Sequence, residues 1–178
     1  MQFRSLCLAC ACAVSTQAPA GERFAVVRFD PPVVPPDVAA AMRARGAEWT
    51  LPRYLMASVA DDCTDGGYPY LVRGDFDGDG QDDHAFWAST RASTGTMHVL
   101  WVLESSRQRL IELDRDDGNE MHLLPLSVRG RGESVYDHHR GLGVTLQADA
   151  PEAVICWKSA RAWQRQRDGS YREMLTSD

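Results

Sequence analysis

Asp75-Phe76-Asp77-Gly78-Asp79-Gly80-Gln81-Asp82-Asp83 packs five carboxylates and two glycines into nine residues, in the pattern D-x-D-x-D-G-x-x-D. Side-chain oxygens at the first, third and fifth positions converge on one point only if the backbone turns sharply. A glycine at the sixth position, here Gly80, permits that turn. Five negative charges this close repel strongly in an empty loop, so the spacing makes best sense around a hard divalent cation. The ion expected is Ca2+.

The flanks decide what frame carries the loop. Tyr68-Pro69-Tyr70-Leu71-Val72 before it and Ala85-Phe86-Trp87 after it favour strands over helices. An EF-hand needs helical flanks and a bidentate glutamate at loop position 12, where this chain has Phe86. The motif is therefore an EF-hand-like ligand set on a strand–loop–strand frame, with Asp83 at position 9 as the closing carboxylate.

The stretch Gly74 to Ala85 resembles the calcium loop of FG-GAP and VCBS-type repeats. In that family the first, third, fifth and ninth loop residues bind calcium by side chain and the seventh by its backbone carbonyl. The resemblance thus implies Asp75, Asp77, Asp79, Asp83 and the carbonyl of Gln81 as ligands. It covers about twenty residues, and those repeats build β-propellers from several copies, whereas this chain holds one. The nearer likeness is to small exported bacterial proteins with a single such loop and a C-terminal hairpin, ending here in Leu175-Thr176-Ser177-Asp178.

Two rivals weigh against calcium. Asp75-x-Asp77-x-Asp79 is similar to the magnesium-binding aspartates of multisubunit RNA polymerases, and Asp75-x-Asp77 to those of haloacid-dehalogenase phosphatases. A phosphatase needs a buried apolar strand directly before its first aspartate, and here Arg73-Gly74 stand there. The other rival is an acidic turn without metal, which leaves both the spacing and Gly80 to coincidence.

Composition bounds the rest. The chain has 178 residues, 44% of them hydrophobic, with a net charge of −6. That is enough apolar content for one core, and the acidic balance argues against a nucleic-acid partner. Residues 1–20 read as a secretory signal: Arg4, then an apolar run from Leu6 to Val14, then Ala18-Pro19-Ala20 as a cleavage site. The run is too short to span a membrane. Residues 21–178 then form one mature, monomeric domain in the periplasm or outside the cell. Cys12 leaves a lipid-anchored form open, although Ala9 stands three positions before it. Removing the signal leaves Cys63 and Cys156, which in an oxidising compartment suggest one disulfide.

Along the chain, 24–30 reads as a strand and Pro31 to Pro36 as a stiff connector. Asp37 is the expected N-cap of a helix from Val38 to Arg45, closed by Gly46. A second short helix is expected around Pro52 to Val59. Strands are expected from Tyr68 to Arg73, His84 to Ala88, Met97 to Glu104, Leu110 to Leu113, Met121 to Val128, Leu142 to Gln147 and Ala153 to Ser159. Of these, Met97 to Glu104 is apolar on both faces, which suits a central strand. Asp168-Gly169 between two extended runs predicts a type I′ hairpin. The fold expected is α+β, mainly antiparallel β with one or two short N-terminal helices.

Other groups carry weaker signals. Asp137-His138-His139 is an ordinary ligand set for a transition metal without a partner at ligand spacing. His84 borders the acidic loop. Arg161, Arg165 and Arg167 beside Trp163 form a basic stripe, read as the face of an edge strand or as a dock for an anionic glycan or peptide. No nucleophile elbow or phosphate-cradling glycine loop is visible. The function expected is a calcium-stabilised binding module for a protein or glycan. The alternatives are a small hydrolase, or an inhibitor presenting a protruding loop at 129–141.

Overall fold

The computed structural model describes residues 25–46, 48–64, 67–155 and 159–176 of the chain. The expected signal segment and Cys156 lie outside the described residues. Among those described, no helix is long and apolar enough to cross a membrane.

The fold is mostly antiparallel β with two short helices. One sheet has the order β3-β4-β5-β6, from Leu71–Gly74, Asp83–Ala92, Gly95–Glu104 and Arg109–Asp116. A second has the order β12-β11-β10-β7, from Tyr171–Thr176, Ser159–Arg165, Ala150–Ile155 and Leu126–Arg129. Two ribbons complete it: β1 (Val26–Arg28) with β2 (Tyr54–Met56), and β8 (Ser134–Asp137) with β9 (Leu142–Thr145). The helices are α1 (Pro36–Ala44) and α2 (Ala57–Cys63).

β5 is the central strand its composition suggested. Val99, Trp101 and Leu103 point to a layer formed with Val38 and Met42 of α1. Leu100, on the opposite face, packs with Trp87, Ala153 and Trp163, which joins the two sheets. Because side chains alternate along a strand, burial on both faces demands the unbroken apolar run Val99 to Leu103. Fully burying side chains of this kind stabilises by about 1.5–3 kcal/mol each. The inner face of β5 ends in polar residues on both sides, His98 at one end and Glu104 at the other, each 0% exposed.

Several local expectations are corrected. Pro36 takes the first turn of α1 and Pro35 its N-cap, as the fixed φ of proline favours. Asp37 is therefore inside the helix, where its Oδ2 accepts from Ser105 Oγ at 3.1 Å. Tyr54–Met56 is a strand and the second helix begins only at Ala57, because fully buried Leu55 anchors this segment in the core between the sheets. The C-terminal hairpin is not type I′: Gly169 has φ +84° while Asp168 is not in the left-handed region. Gln166 N–H donates to Ser170 O at 2.7 Å and Gly169 N–H to Gln166 O at 3.0 Å, which closes a three-residue turn with glycine in the left-handed position.

Residues 129–141 are not a free loop either. They contain β8, whose Val135 packs with Ala162 and Met174 of the second sheet, and His138 N–H donates to Leu175 O at 2.9 Å.

Candidate metal centre

β3 ends at Gly74 and β4 begins at Asp83, so the acidic loop spans the two strand ends it was expected to join. Phe76 is the pin. It is fully buried with Ala85 and Val102, which leaves Asp75 and Asp77 on either side of it in sequence to turn the other way. Gly78 and Gly80 have φ +77° and +88°, conformations that side chains rarely adopt.

Successive carboxylates then fold the loop inward by accepting backbone N–H groups. Asp75 Oδ2 takes Gly80 N–H at 3.1 Å, Asp77 Oδ1 takes Asp79 N–H at 3.0 Å, and Asp79 Oδ1 takes Gln81 N–H at 2.9 Å. Asp83 Oδ2 reaches back to Asp77 N–H at 3.1 Å. The result is one oxygen from each of Asp75, Asp77 and Asp83, all within 4.8 Å of one another. Asp75 Oδ1 is buried and has no hydrogen-bond partner. A buried carboxylate oxygen without a donor is costly unless a cation completes it, and hard oxygen donors suit a group 2 ion. The residues present thus fit a divalent metal.

Asp79 and Gln81 stand apart from this group. Asp79 Oδ2 accepts from Ser106 Oγ, and its carboxyl is held below the usual range chiefly by that bond. Gln81 enters the network through its N–H. Asp83, buried in the structure, is pushed up to about 6 by that burial, with Asp77 and Asp79 adding to it. Asp77 is also raised by burial, against the bond from Asp79 N–H and the charge of Arg107.

Sequence reasoning missed the residues that complete the loop. The one-turn 3₁₀ helix Ser105–Arg107, between β5 and β6, lies across it. Ser105 N–H donates to Asp83 Oδ1 at 2.8 Å, Ser106 Oγ to Asp79 Oδ2, and Arg107 Nη1 to Asp77 Oδ2 at 2.8 Å. Three consecutive residues thus each hold a different aspartate. From the other side, Asp149 accepts Asp75 N–H at 3.0 Å. The only hint in the sequence is polar Ser-Ser-Arg-Gln between two strand-like runs, and such a run more often marks an ordinary turn.

The other candidates resolve differently. His84 Nδ1 faces Asp37 Oδ2 at 3.5 Å, and its burial lowers its proton affinity. Among the described residues Asp137, His138 and His139 join no metal-capable group. Asp137 Oδ1 instead accepts His139 N–H at 3.1 Å, and His138 packs edge-on against Tyr136. The arginine stripe is corrected: β11 lies between β10 and β12, so it is no edge strand. Arg161 pairs with Asp114 and Arg165 with Glu104, both on the opposite sheet. These two are cross-sheet ties and offer no docking face. Cys63, the last residue of α2, lines a groove with Leu126 and Ser127 of β7.

Compared with known proteins, the chain matches no family model, no curated protein and no solved structure.

Proposed function

We propose that this chain is an exported calcium-binding protein in which the ion has a structural role and the domain acts as a binding module for a protein or glycan. The observation that carries the reading is the meeting of one oxygen each from Asp75, Asp77 and Asp83 within 4.8 Å, with Asp75 Oδ1 buried and without a hydrogen-bond partner. On this reading Asp75, Asp77 and Asp83 are the first ligands, and Asp79 and the Gln81 carbonyl complete the shell once Asp79 leaves Ser106. The ion neutralises repelling carboxylates and locks the end of β3 to the start of β4. An exported module needs a dissociation constant of only about 10⁻⁴–10⁻³ M, because extracellular calcium is plentiful.

Export by residues 1–20 and a bridge between Cys63 and Cys156 belong to the same proposal. Cys63 shares a groove with Leu126, the register partner of Ala153, and Cys156 stands three positions after Ala153 in the sequence. That bridge pins α2 to the second sheet.

The hydrolase alternative finds little support. Among the described residues, Ser89 Oγ lies 2.7 Å from His98 Nδ1. His98 Nε2, however, is buried without a hydrogen-bond partner, so among those residues no carboxylate orients the imidazole as a base requires.

Titration calorimetry of the chelated chain with calcium and with magnesium tests the reading, together with thermal melts. Calcium at roughly 100 times its dissociation constant should add about 2.7 kcal/mol of stability. Asp75→Asn and Asp83→Asn should each remove that increment. A melting curve indifferent to both calcium and chelator would rule out the structural role.

A further inference from the structure

Arg107 already places a positive charge on the loop. Its Nη1 is 2.8 Å from Asp77 Oδ2, while Asp77 Oδ1 is taken by Asp79 N–H, so both oxygens of this carboxylate are engaged. The Asp77 side chain is 0% exposed and that of Arg107 49% exposed, so the guanidinium covers the carboxylate from the solvent side. The same Nη1 lies 3.5 Å from Glu104 Oε2. Glu104 is fully buried, and its other oxygen is bound by Arg165 Nε at 2.7 Å. One nitrogen of Arg107 thus stands between two buried carboxylates, one belonging to the metal group and one to the sheet interface.

We infer that Arg107 is a tethered competitor for the metal: a divalent ion entering the aspartate group takes Asp77 Oδ2 and hands the guanidinium over to Glu104. The inference rests on the calcium reading above and extends it to how the site sets its affinity. Two cations do not share one carboxylate oxygen at close range without repulsion. The handover needs little movement, since Glu104 Oε2 is already the second-nearest acceptor of that nitrogen. Arg107 has two effects here. It relieves the repulsion among the loop carboxylates before the ion arrives, and it weakens the ion's net binding by the free energy of the contact given up. The site is thereby held to the weak affinities suited to an ion-rich compartment.

Generic charge is separable from contact. Arg73 lies on the same loop's flank, pairs with Asp82 at 3.0 Å and carries the same charge, but Asp82 is outside the metal group. Calcium titration of the full chain, its Arg107→Gln variant and its Arg73→Gln variant makes the comparison, with fold checked by circular dichroism. Arg107→Gln should tighten calcium binding by about three- to fivefold, as loss of a half-exposed ion pair allows, with Arg73→Gln within about twofold of the parent. Arg107→Gln should also lower the melting temperature in chelator while enlarging the calcium-induced rise. Arg107→Lys, which keeps the charge and loses the planar fork, serves if the glutamine variant fails to fold, with the same direction and a smaller change.

Unchanged or weaker binding in the Arg107 variants overturns the inference while leaving the calcium site standing. Equal tightening in both glutamine variants also overturns it, because net charge then accounts for the effect. Binding heat absent from the parent but present in Arg107→Gln supports it. No heat from any of them, with calcium or magnesium, overturns the inference and the calcium reading together.

Discussion

Asp75 and Asp149 hold each other by a reciprocal pair of hydrogen bonds. Asp75 N–H donates to Asp149 Oδ2 at 3.0 Å, and Asp149 N–H donates to Asp75 O at 3.1 Å. The other oxygen of Asp149 accepts Arg131 N–H at 2.9 Å, so one carboxylate joins the first loop residue to the turn after β7. Asp149→Ala leaves two backbone donors without their acceptor and should cost about 1–3 kcal/mol in chelator. Chemical denaturation of the variant measures this. On the proposed calcium reading, the calcium increment should shrink too, since Asp75 then loses its backbone anchor.

Glu104 is buried with Arg165 against it across the sheet interface. Removing one partner of a buried pair leaves the other uncompensated. Glu104→Ala should therefore destabilise by about 3–5 kcal/mol. A second change, Arg165→Met, should restore part of the loss. A double-mutant cycle by urea denaturation reads the coupling directly, and a cycle with no coupling contradicts a cross-sheet tie.

Burial pushes the Asp83 carboxyl up to about 6 from an ordinary value of 3.8. The folded chain therefore holds this proton more tightly than the unfolded chain does. In chelator, its contribution to stability is fully present below about 3.8, falls as pH rises from there, and is gone above about 6. Calcium requires the carboxylate, so its affinity should run the other way, rising with pH up to about 6 and then levelling. Melts from pH 4 to 8 with and without calcium, about one pH unit apart, should show the two curves diverging. Parallel curves contradict the involvement of Asp83.

The acidic loop was legible because its carboxylates and glycines lie within nine residues, and local spacing is what a sequence displays directly. β5 was legible for a similar reason: a run buried on both faces is apolar at every position. The Ser105–Arg107 clamp was not, since it reaches Asp77, Asp79 and Asp83 from 22 to 30 residues away and its residues suit any exposed turn. The arginines of β11 misled because alternating charge looks the same on an edge strand as on an interior strand facing carboxylates. Asp168-Gly169 misled because aspartate and glycine serve more than one hairpin turn, and only loop length separates them. Tyr54–Met56 reads as helix in the sequence because its strand identity depends on distant β1.

The clamp also bears on the order of events during folding. Although the nine-residue loop binds its carboxylates partly with its own N–H groups, Asp77, Asp79 and Asp83 are also held from residues 105–107, and the Asp75 N–H from Asp149, contacts that need distant parts of the chain to be in place. A chain without those contacts has the charges without the cage, so if the site holds calcium as proposed, capture of the ion would be a late step. A ligand that engages after the rate-limiting barrier leaves the speed of folding almost untouched and acts by slowing escape from the native state. On the proposed calcium reading, the cation would then work as a latch on a finished structure, prolonging its lifetime.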